Sequence, residues 1–105
     1  MIKVYIAGKI TGKENYKEDF IKAEAYLVSK GINIIMSPIC LPPFGFEHHE
    51  YMHVCKAMID VCDAVFFLKD WEKSQGAKQE YLYALEKDKM ILNGEPGIAA
   101  CWRMF

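Results

Sequence analysis

The sequence has almost no net charge, no long hydrophobic run and no paired-cysteine motif, and each shortage excludes a class of protein. Its formal net charge is -1 at pH 7, so binding to a nucleic-acid polymer or an anionic membrane would need a local basic patch, and none is visible. The apolar start MIKVYIAGK is too short for a membrane span and lacks the core and cleavage site of a signal peptide. We therefore expect a cytoplasmic protein with neither a nucleic-acid polymer nor a membrane as partner.

Disulfide and metal chemistry also lack their usual motifs. The four cysteines form no CxxC pair, and three of them lie among apolar residues, which indicates reduced core thiols and no disulfide bond. The three histidines fall close together, but no acidic or cysteine pattern with zinc spacing completes the set. We expect surface histidines, no metal site and no cofactor. The residues concerned are Cys40, Cys55, Cys62, Cys101, His48, His49 and His53.

What the sequence does have is a regular alternation of apolar runs and amphipathic segments, which predicts one α/β domain over residues 1–105. Hydrophobic residues make up 52% of the chain and charged residues 26%, as in globular proteins. Apolar runs predict four strands, and apolar spacings of three and four predict three helices between them. The predicted strands are 2–7, 32–36, 64–68 and 90–92, and the predicted helices are about 14–30, 47–62 and 76–88.

Strands that are apolar throughout indicate a parallel sheet covered by helices on both faces. Right-handed crossovers favour the strand order 2-1-3-4, a flavodoxin- or Rossmann-like three-layer sandwich that binds ligands at the carboxyl ends of its strands. We therefore expect a pocket between the loop GKITGK, the proline-rich stretch 37–46, the loop KDWEKSQ and the start of the third helix. Residues 93–105 receive no assignment, and their apolar end AACWRMF is consistent with either a subunit contact or an edge strand.

Glu80 lies inside the predicted apolar face of the third helix, between Ala77 and Ala84. A carboxylate near a helix N-terminus, desolvated by a pocket at the strand ends, could act as a nucleophile or a general base. The alternative is a carboxylate at the pocket rim that touches solvent or pairs with a lysine. The pattern alone does not separate the two interpretations.

Features near this pocket have both a ligand-binding and a structural interpretation. The loop GKITGK could present backbone N–H groups to an anion, but it matches neither a P-loop nor the dinucleotide fingerprint, and a glycine-permitted turn explains it equally. Ser74 lies in no hydrolase motif, which favours a phosphate contact or a helix cap. Four aromatic residues could stack on a base or cover the core; they are Phe44, Phe46, Tyr51 and Trp71.

Three segments together resemble the nucleoside 2-deoxyribosyltransferase-like superfamily, in particular its short bacterial and phage branch. They are VYIAGKITG, LPPFGFEHHEYM and CDAVFFLKDWEKSQGAKQEYLYAL, and the resemblance spans about residues 2–92. Its strongest element is the S-x-G-x-x-x-E run from Ser74 to Glu80. The resemblance implies cleavage or transfer at the N-glycosidic bond of a deoxynucleoside or its 5′-monophosphate, as in the deoxynucleoside monophosphate N-glycosidases.

The resemblance also implies roles for individual residues. The family's glutamate that matches Glu80 attacks the anomeric carbon of the sugar, and the serine that matches Ser74 contacts a 5′-phosphate. The substrate-binding positions that carry over are Tyr5, Gly8, Lys9, Ile10, Gly12, Cys55, Trp71, Ser74 and Gly76. The expected ligand is thus a small nucleoside or nucleotide, and the expected assembly is a homo-oligomer, either a dimer or a tetramer.

One position departs from the family pattern. The characterised enzymes carry an aspartate on the second helix, eight residues before the position of Asp63, where this chain has Cys55. The acid that assists the departing base is therefore missing, and Asp60 is the candidate replacement one helical turn away. An alternative function is a non-catalytic nucleotide-binding module, and a third is a protein-interaction domain that uses Trp102 and Phe105.

Overall fold

Strands and helices alternate along residues 1–93, the part of the chain that the structure, a computed structural model, describes. The strands are β1 (Lys3–Ala7), β2 (Ile34–Met36), β3 (Ala64–Phe67) and β4 (Met90–Asn93). The helices are α1 (Tyr16–Ser29), α2 (His48–Val61) and α3 (Gln75–Glu86). Single 3-10 turns, Pro38–Cys40 and Trp71–Lys73, lie in the loops after β2 and β3. The predicted order of elements is confirmed.

The four strands form one parallel sheet in the order β2-β1-β3-β4. This confirms the predicted α/β architecture of a Rossmann-like sandwich. The chain leaves β1 towards β2 on one side and later returns to place β3 on the other side of β1. The loops that follow β1 and β3 therefore diverge at the carboxyl edge of the sheet and open a crevice between them.

The two faces of the sheet bury different helices. On β1, Val4 and Ile6 pack against the buried face of α1, whereas Tyr5 and Ala7 point to the opposite face, which α2 and α3 cover. Successive side chains of a strand alternate between faces, so this split follows directly from the strand geometry. Its consequence is that the side chain of Tyr5 is placed beneath α2 and α3.

The second strand is shorter than its apolar run predicts. Gly31 adopts a positive φ of 87° after the end of α1, and the N–H of Ile32 then donates to the carbonyl of Leu27 at 3.0 Å. The N–H of Ile32 therefore bonds to a carbonyl at the end of α1 instead of joining the sheet, as in a Schellman motif. Its side chain is still buried in the core, which is why the apolar pattern includes it.

None of the helices in residues 1–93 combines the length and the apolar character that crossing a membrane requires. Cys55 and Cys62 are buried free thiols, and Cys40 is an exposed one. The expectations for Cys101, Trp102, Phe105 and the segment AACWRMF lie outside the described residues.

Gly8, at the end of β1, has no room for a side chain. A Cβ atom added there would lie 2.5 Å from Cδ1 and 2.9 Å from Cγ of Leu68. We expect Gly8→Ala to lower the free energy of unfolding by about 1–3 kcal/mol, because overpacking forces neighbouring side chains out of their rotamers. Urea unfolding of both proteins measures the difference.

A double-mutant cycle isolates the cause. Leu68→Ala alone should cost about 2–5 kcal/mol, since Leu68 is buried and its removal leaves a cavity. In the Leu68→Ala protein, Gly8→Ala should lower the free energy of unfolding by much less than it does in the wild type, because the clashing atoms of Leu68 are gone. Strict additivity of the two substitutions would show that the close approach of Leu68 does not constrain Gly8.

Candidate functional site

A cavity of about 430 Å³ opens at the carboxyl edge of the sheet, within the size range of small-molecule sites. Its walls come from the loop after β1, the proline-rich loop after β2, the first two turns of α2 and the start of α3. The sequence predicts three of these segments, namely the loop after β1, the proline-rich loop and the start of α3. It does not predict the turns of α2, and the predicted loop KDWEKSQ contributes only Ser74. Six of the predicted site residues line it, namely Gly8, Ile10, Cys55, Ser74, Gly76 and Glu80.

Glu80 is buried at the base of this cavity. Its side chain is only 4% exposed, and among residues 1–93 it is the one charged residue in the buried core. The hydroxyl of Tyr5 donates a hydrogen bond to its Oε2 atom at 2.6 Å. The alternative interpretation of Glu80, a carboxylate at the pocket rim or paired with a lysine, is therefore wrong.

The pKa of Glu80 reflects this burial. Desolvation raises the pKa to about 7, against an ordinary value of 4.5, while hydrogen bonds from Tyr5 and Cys55 lower it. Burial disfavours the charged form of a carboxyl group, and donors that bind the carboxylate favour it. Around neutral pH the protonated and ionised forms of Glu80 are therefore both populated, as is typical of groups that act in acid–base or nucleophilic chemistry.

The two neighbours of Glu80 remain protonated at neutral pH. Burial raises the pKa of Cys55 to about 12, with the charge of Glu80 adding to the effect. Burial, and then the charge of Glu80, raise the pKa of Tyr5 well above 10. A thiol and a phenol that both keep their protons can donate to the carboxylate without competing with it for charge.

The start of α3 forms the second polar part of the cavity. The Oγ atom of Ser74 accepts a hydrogen bond from the N–H of Ala77 at 3.1 Å, so the helix-capping role predicted for this hydroxyl is confirmed. A Cβ atom at Gly76 would lie 3.4 Å from Met52 Sδ, 3.7 Å from His48 Cε1 and 3.9 Å from Ser74 Oγ. These are ordinary van der Waals distances, so Gly76 lies beside α2 at the capped helix end without being required there by a steric clash.

Sequence reasoning missed several residues of the cavity. His48, assigned to the surface, is indeed exposed but also lines the cavity, as do Thr11, Tyr16, Tyr51 and Met52. His48 is the first residue of α2, and the proline-rich loop before it returns the chain to the strand edge. Position at the first turn of a helix that follows such a loop is the signal that could have identified it.

Other predicted residues lie elsewhere. Lys9, Gly12 and Trp71 are not among the residues that line the cavity. The ring of Trp71 instead stacks on Tyr81 with centroids 4.7 Å apart and packs on Phe67, so it covers the core. Gly12 has a positive φ of 79°, which suits its interpretation as a turn residue.

The candidate replacement for the missing acid is also remote. Asp60 is exposed, and its Oδ1 atom accepts a hydrogen bond from the hydroxyl of Tyr83 at 2.5 Å. Of the two loop phenylalanines, Phe44 is 79% and Phe46 57% exposed, and neither lines the cavity. Tyr51 does line it and donates from its hydroxyl to the carbonyl of Pro42 at 2.8 Å, which fastens the proline-rich loop to α2.

Ion pairs join the two loops that flank the crevice. Lys13, in the loop after β1, forms ion pairs with Asp70 in the loop after β3 and with Asp19 on α1, the latter at 2.7 Å. Hydrogen bonds to these two carboxylates raise the pKa of Lys13. Because one ammonium group connects three segments, it holds the first loop over the carboxyl edge of the sheet.

Metal ligands do not converge in the described part of the chain. No group of three histidine, cysteine, aspartate or glutamate side chains within residues 1–93 could hold a metal ion. His49 and His53 line a separate groove on the outer side of α2, together with Phe46 and Val54. That groove shares Leu41, Pro42 and Tyr51 with the main cavity.

Comparison with protein families identifies one match. A family described as "Domain of unknown function (DUF4406)" matches residues 2–93, which include all four strands and all three helices. The chain belongs to this DUF4406 family. The DUF4406 match ends where the described fold ends, and it covers every residue of the cavity. No curated protein matches the sequence.

The raised pKa of Glu80 predicts a pH-dependent loss of stability. Between pH 4.5 and about 7 the unfolded chain has released a proton that the folded chain keeps, so the free energy of unfolding falls as pH rises through this window. Glu80→Gln removes that dependence. We expect the free energy of unfolding of the variant, relative to that of the wild type, to be higher at pH 8 than at pH 4 by on the order of 3 kcal/mol.

Urea unfolding at the two pH values tests this linkage. The matched control is Glu86→Gln, which alters an exposed carboxylate near the end of the same helix and should track the wild type at both pH values. A difference between Glu80→Gln and wild type that stays constant from pH 4 to pH 8 would contradict a raised pKa.

Proposed function

We propose that the protein cleaves or transfers at the N-glycosidic bond of a deoxynucleoside or deoxynucleoside 5′-monophosphate, with Glu80 as the nucleophile. The proposal agrees with the resemblance to the nucleoside 2-deoxyribosyltransferase-like superfamily. The single observation that carries it is a buried carboxylate at the base of a nucleotide-sized cavity, oriented by the hydroxyl of Tyr5 at 2.6 Å.

The environment of Glu80 supports a role in covalent catalysis. Tyr5 donates to one carboxylate oxygen and so fixes the orientation of a side chain that also lines the cavity, where an oxygen of Glu80 would attack the anomeric carbon C1′. As the bond from C1′ to the base lengthens, positive charge develops on the sugar, and a desolvated carboxylate stabilises that charge strongly. The resulting glycosyl ester is then attacked by water or by a second base, and this regenerates Glu80.

The polar end of the cavity supports a phosphate on the substrate. Ser74 uses its oxygen lone pair to cap α3, so its own O–H remains available to donate to a phosphate oxygen. The N-terminus of α3 adds free backbone N–H groups and a positive dipole. His48 lies beside the same helix end and contributes a second donor. A 5′-monophosphate would therefore be favoured over the free nucleoside.

The alternative is a non-catalytic nucleotide-binding module. The specific observation in its favour is Cys55, a neutral thiol next to Glu80 at the position where the characterised enzymes have an acid. Such a module would keep the cavity and lose turnover. It predicts thermal stabilisation by nucleotides without base release, and a ligand at one hundred times its dissociation constant adds about 2.7 kcal/mol.

Base release from a panel of deoxynucleosides and their 5′-monophosphates, with both neutral and cationic bases, tests the enzymatic proposal. We expect free base from the wild type and none above background from Glu80→Ala. Because only ionised Glu80 is nucleophilic, kcat/KM should rise with pH through about 7. Tyr5→Phe removes a hydrogen bond that lowers the pKa of Glu80, so the midpoint of this profile should move to higher pH.

Glu86→Gln is the matched control, since it alters an exposed carboxylate of α3 outside the cavity lining and should retain the wild-type rate. If wild type and Glu80→Ala both release nothing across the panel, the enzymatic proposal fails. Stabilisation of the same proteins by nucleotides would then favour the binding module.

We also propose that the protein acts in the cytoplasm as a homo-oligomer. Buried reduced thiols such as Cys55 and Cys62 suit a reducing compartment. The outer face of α2 carries the exposed apolar side chains of Val54 and Val61, seven residues apart, which is consistent with a subunit contact. Sedimentation velocity should give the mass of a dimer or tetramer. A monomer at all concentrations studied would refute the assembly.

A further inference from the structure

The charge of the cavity lining is unbalanced. Among the described residues that line it, Glu80 is the one carboxylate, and there is neither a lysine nor an arginine. Tyr16, Tyr51 and Met52 are also among the lining residues. Aromatic faces and a carboxylate attract cations, especially where water is excluded. The site therefore favours a ligand with a positive ring close to Glu80.

Proton donors near Glu80 are poorly suited to assist a departing base. A general acid works best when its pKa lies near the working pH, whereas burial raises the pKa of Cys55 to about 12. Tyr5 already donates its proton to Glu80. Asp60 is bound to Tyr83 outside the cavity.

His48 lies at the other end of the cavity. Its Cε1 atom lies near Gly76, as the hydroxyl of Ser74 also does, at the start of α3. Gly76 is four residues before Glu80 on this helix, or about 6 Å along its axis. His48 is therefore placed with the groups that suit a phosphate rather than with the nucleophile.

We infer that the protein acts on N-glycosides whose base departs without being protonated, above all those with a cationic base such as an N7-alkylated purine or a pyridinium ring. The inference rests on the proposed function and specifies its substrate class. Its two supports are the buried carboxylate and the lack of a second carboxylic acid among the described lining residues.

The reaction balances without a protein acid when the base is cationic. A carboxylate oxygen of Glu80 forms a bond to C1′ while the bond from C1′ to the ring nitrogen breaks. The electron pair of the broken C1′–N bond stays on the ring nitrogen and neutralises the positive charge of the departing ring. Water then attacks C1′ of the glycosyl ester and releases the sugar, the Glu80 carboxylate and one proton to solvent. A neutral base would have to leave as an anion, which raises the barrier.

A matched pair of substrates tests the inference. 2′-Deoxyguanosine 5′-monophosphate and its N7-methyl derivative share sugar, phosphate and purine ring, and differ in a fixed positive charge. After subtraction of the spontaneous release measured with Glu80→Ala, kcat/KM should favour the methylated substrate by at least about a hundredfold, the smallest factor that a general acid usually supplies. Comparable rates for the two substrates would overturn the inference and leave the proposed function standing.

Substitution of Cys55 gives the complementary test. Cys55→Asp introduces a carboxyl group beside Glu80, and repulsion between the two raises a pKa into the range of a general acid. We expect Cys55→Asp to lower the ratio of kcat/KM for the methylated substrate to kcat/KM for the unmethylated one, mainly through faster release of unmethylated guanine. Cys55→Ser is the control of similar size and should keep the wild-type ratio.

Three further outcomes of these experiments also test the inference. If Cys55→Asp does not fold, the wild-type ratio and Cys55→Ser still test the inference. Selective loss of activity towards the unmethylated substrate in His48→Asn would identify His48 as the missing acid and overturn the inference. Absence of base release from every substrate would overturn the proposed function and this inference with it.

Discussion

The hydrogen bond from Tyr5 to Glu80 joins the central strand to the third helix inside the core, and much of the site depends on it. A carboxylate that is 4% exposed is expensive to bury unless donors satisfy it. Tyr5 supplies one donor at 2.6 Å, and it can do so because strand alternation directs it towards α2 and α3. The same alternation sends Val4 and Ile6 to the apolar core under α1.

Around this pair the fold supplies the rest of the site through connections at the carboxyl edge. The loops after β1 and β3 are joined by Lys13 and Asp70, and the proline-rich loop is fastened to α2 by Tyr51. Gly8 permits close approach at the point where a side chain would clash with Leu68. The cavity is thus a product of the strand order and of a few specific loop contacts.

The sequence is sufficient to predict the sheet order, because continuous apolar strands and right-handed crossovers leave few alternatives. It also places Glu80 on the buried face of α3, since helical periodicity is strong there. It does not predict the partner of Glu80. The resemblance makes Tyr5 a substrate-binding position, whereas the residue is fully buried, is not among those that line the cavity, and donates to Glu80. The sequence predicts the exposure of His48 but not its place in the cavity lining, and it leaves open whether Trp71 meets a ligand or the core. Loop conformation, which periodicity does not encode, decides both.

The buried carboxylate also connects stability with chemistry. Desolvation moves the pKa of Glu80 to about 7, and the ionised form needed for nucleophilic attack is the form that burial disfavours. A second acid at the position of Cys55 would raise this pKa further through like-charge repulsion. The neutral thiol avoids that repulsion and keeps Glu80 ionisable near neutral pH. Under the proposed function, Cys55 also leaves the departing base without a carboxylic acid to protonate it, and the cationic bases that we propose as substrates depart without that proton.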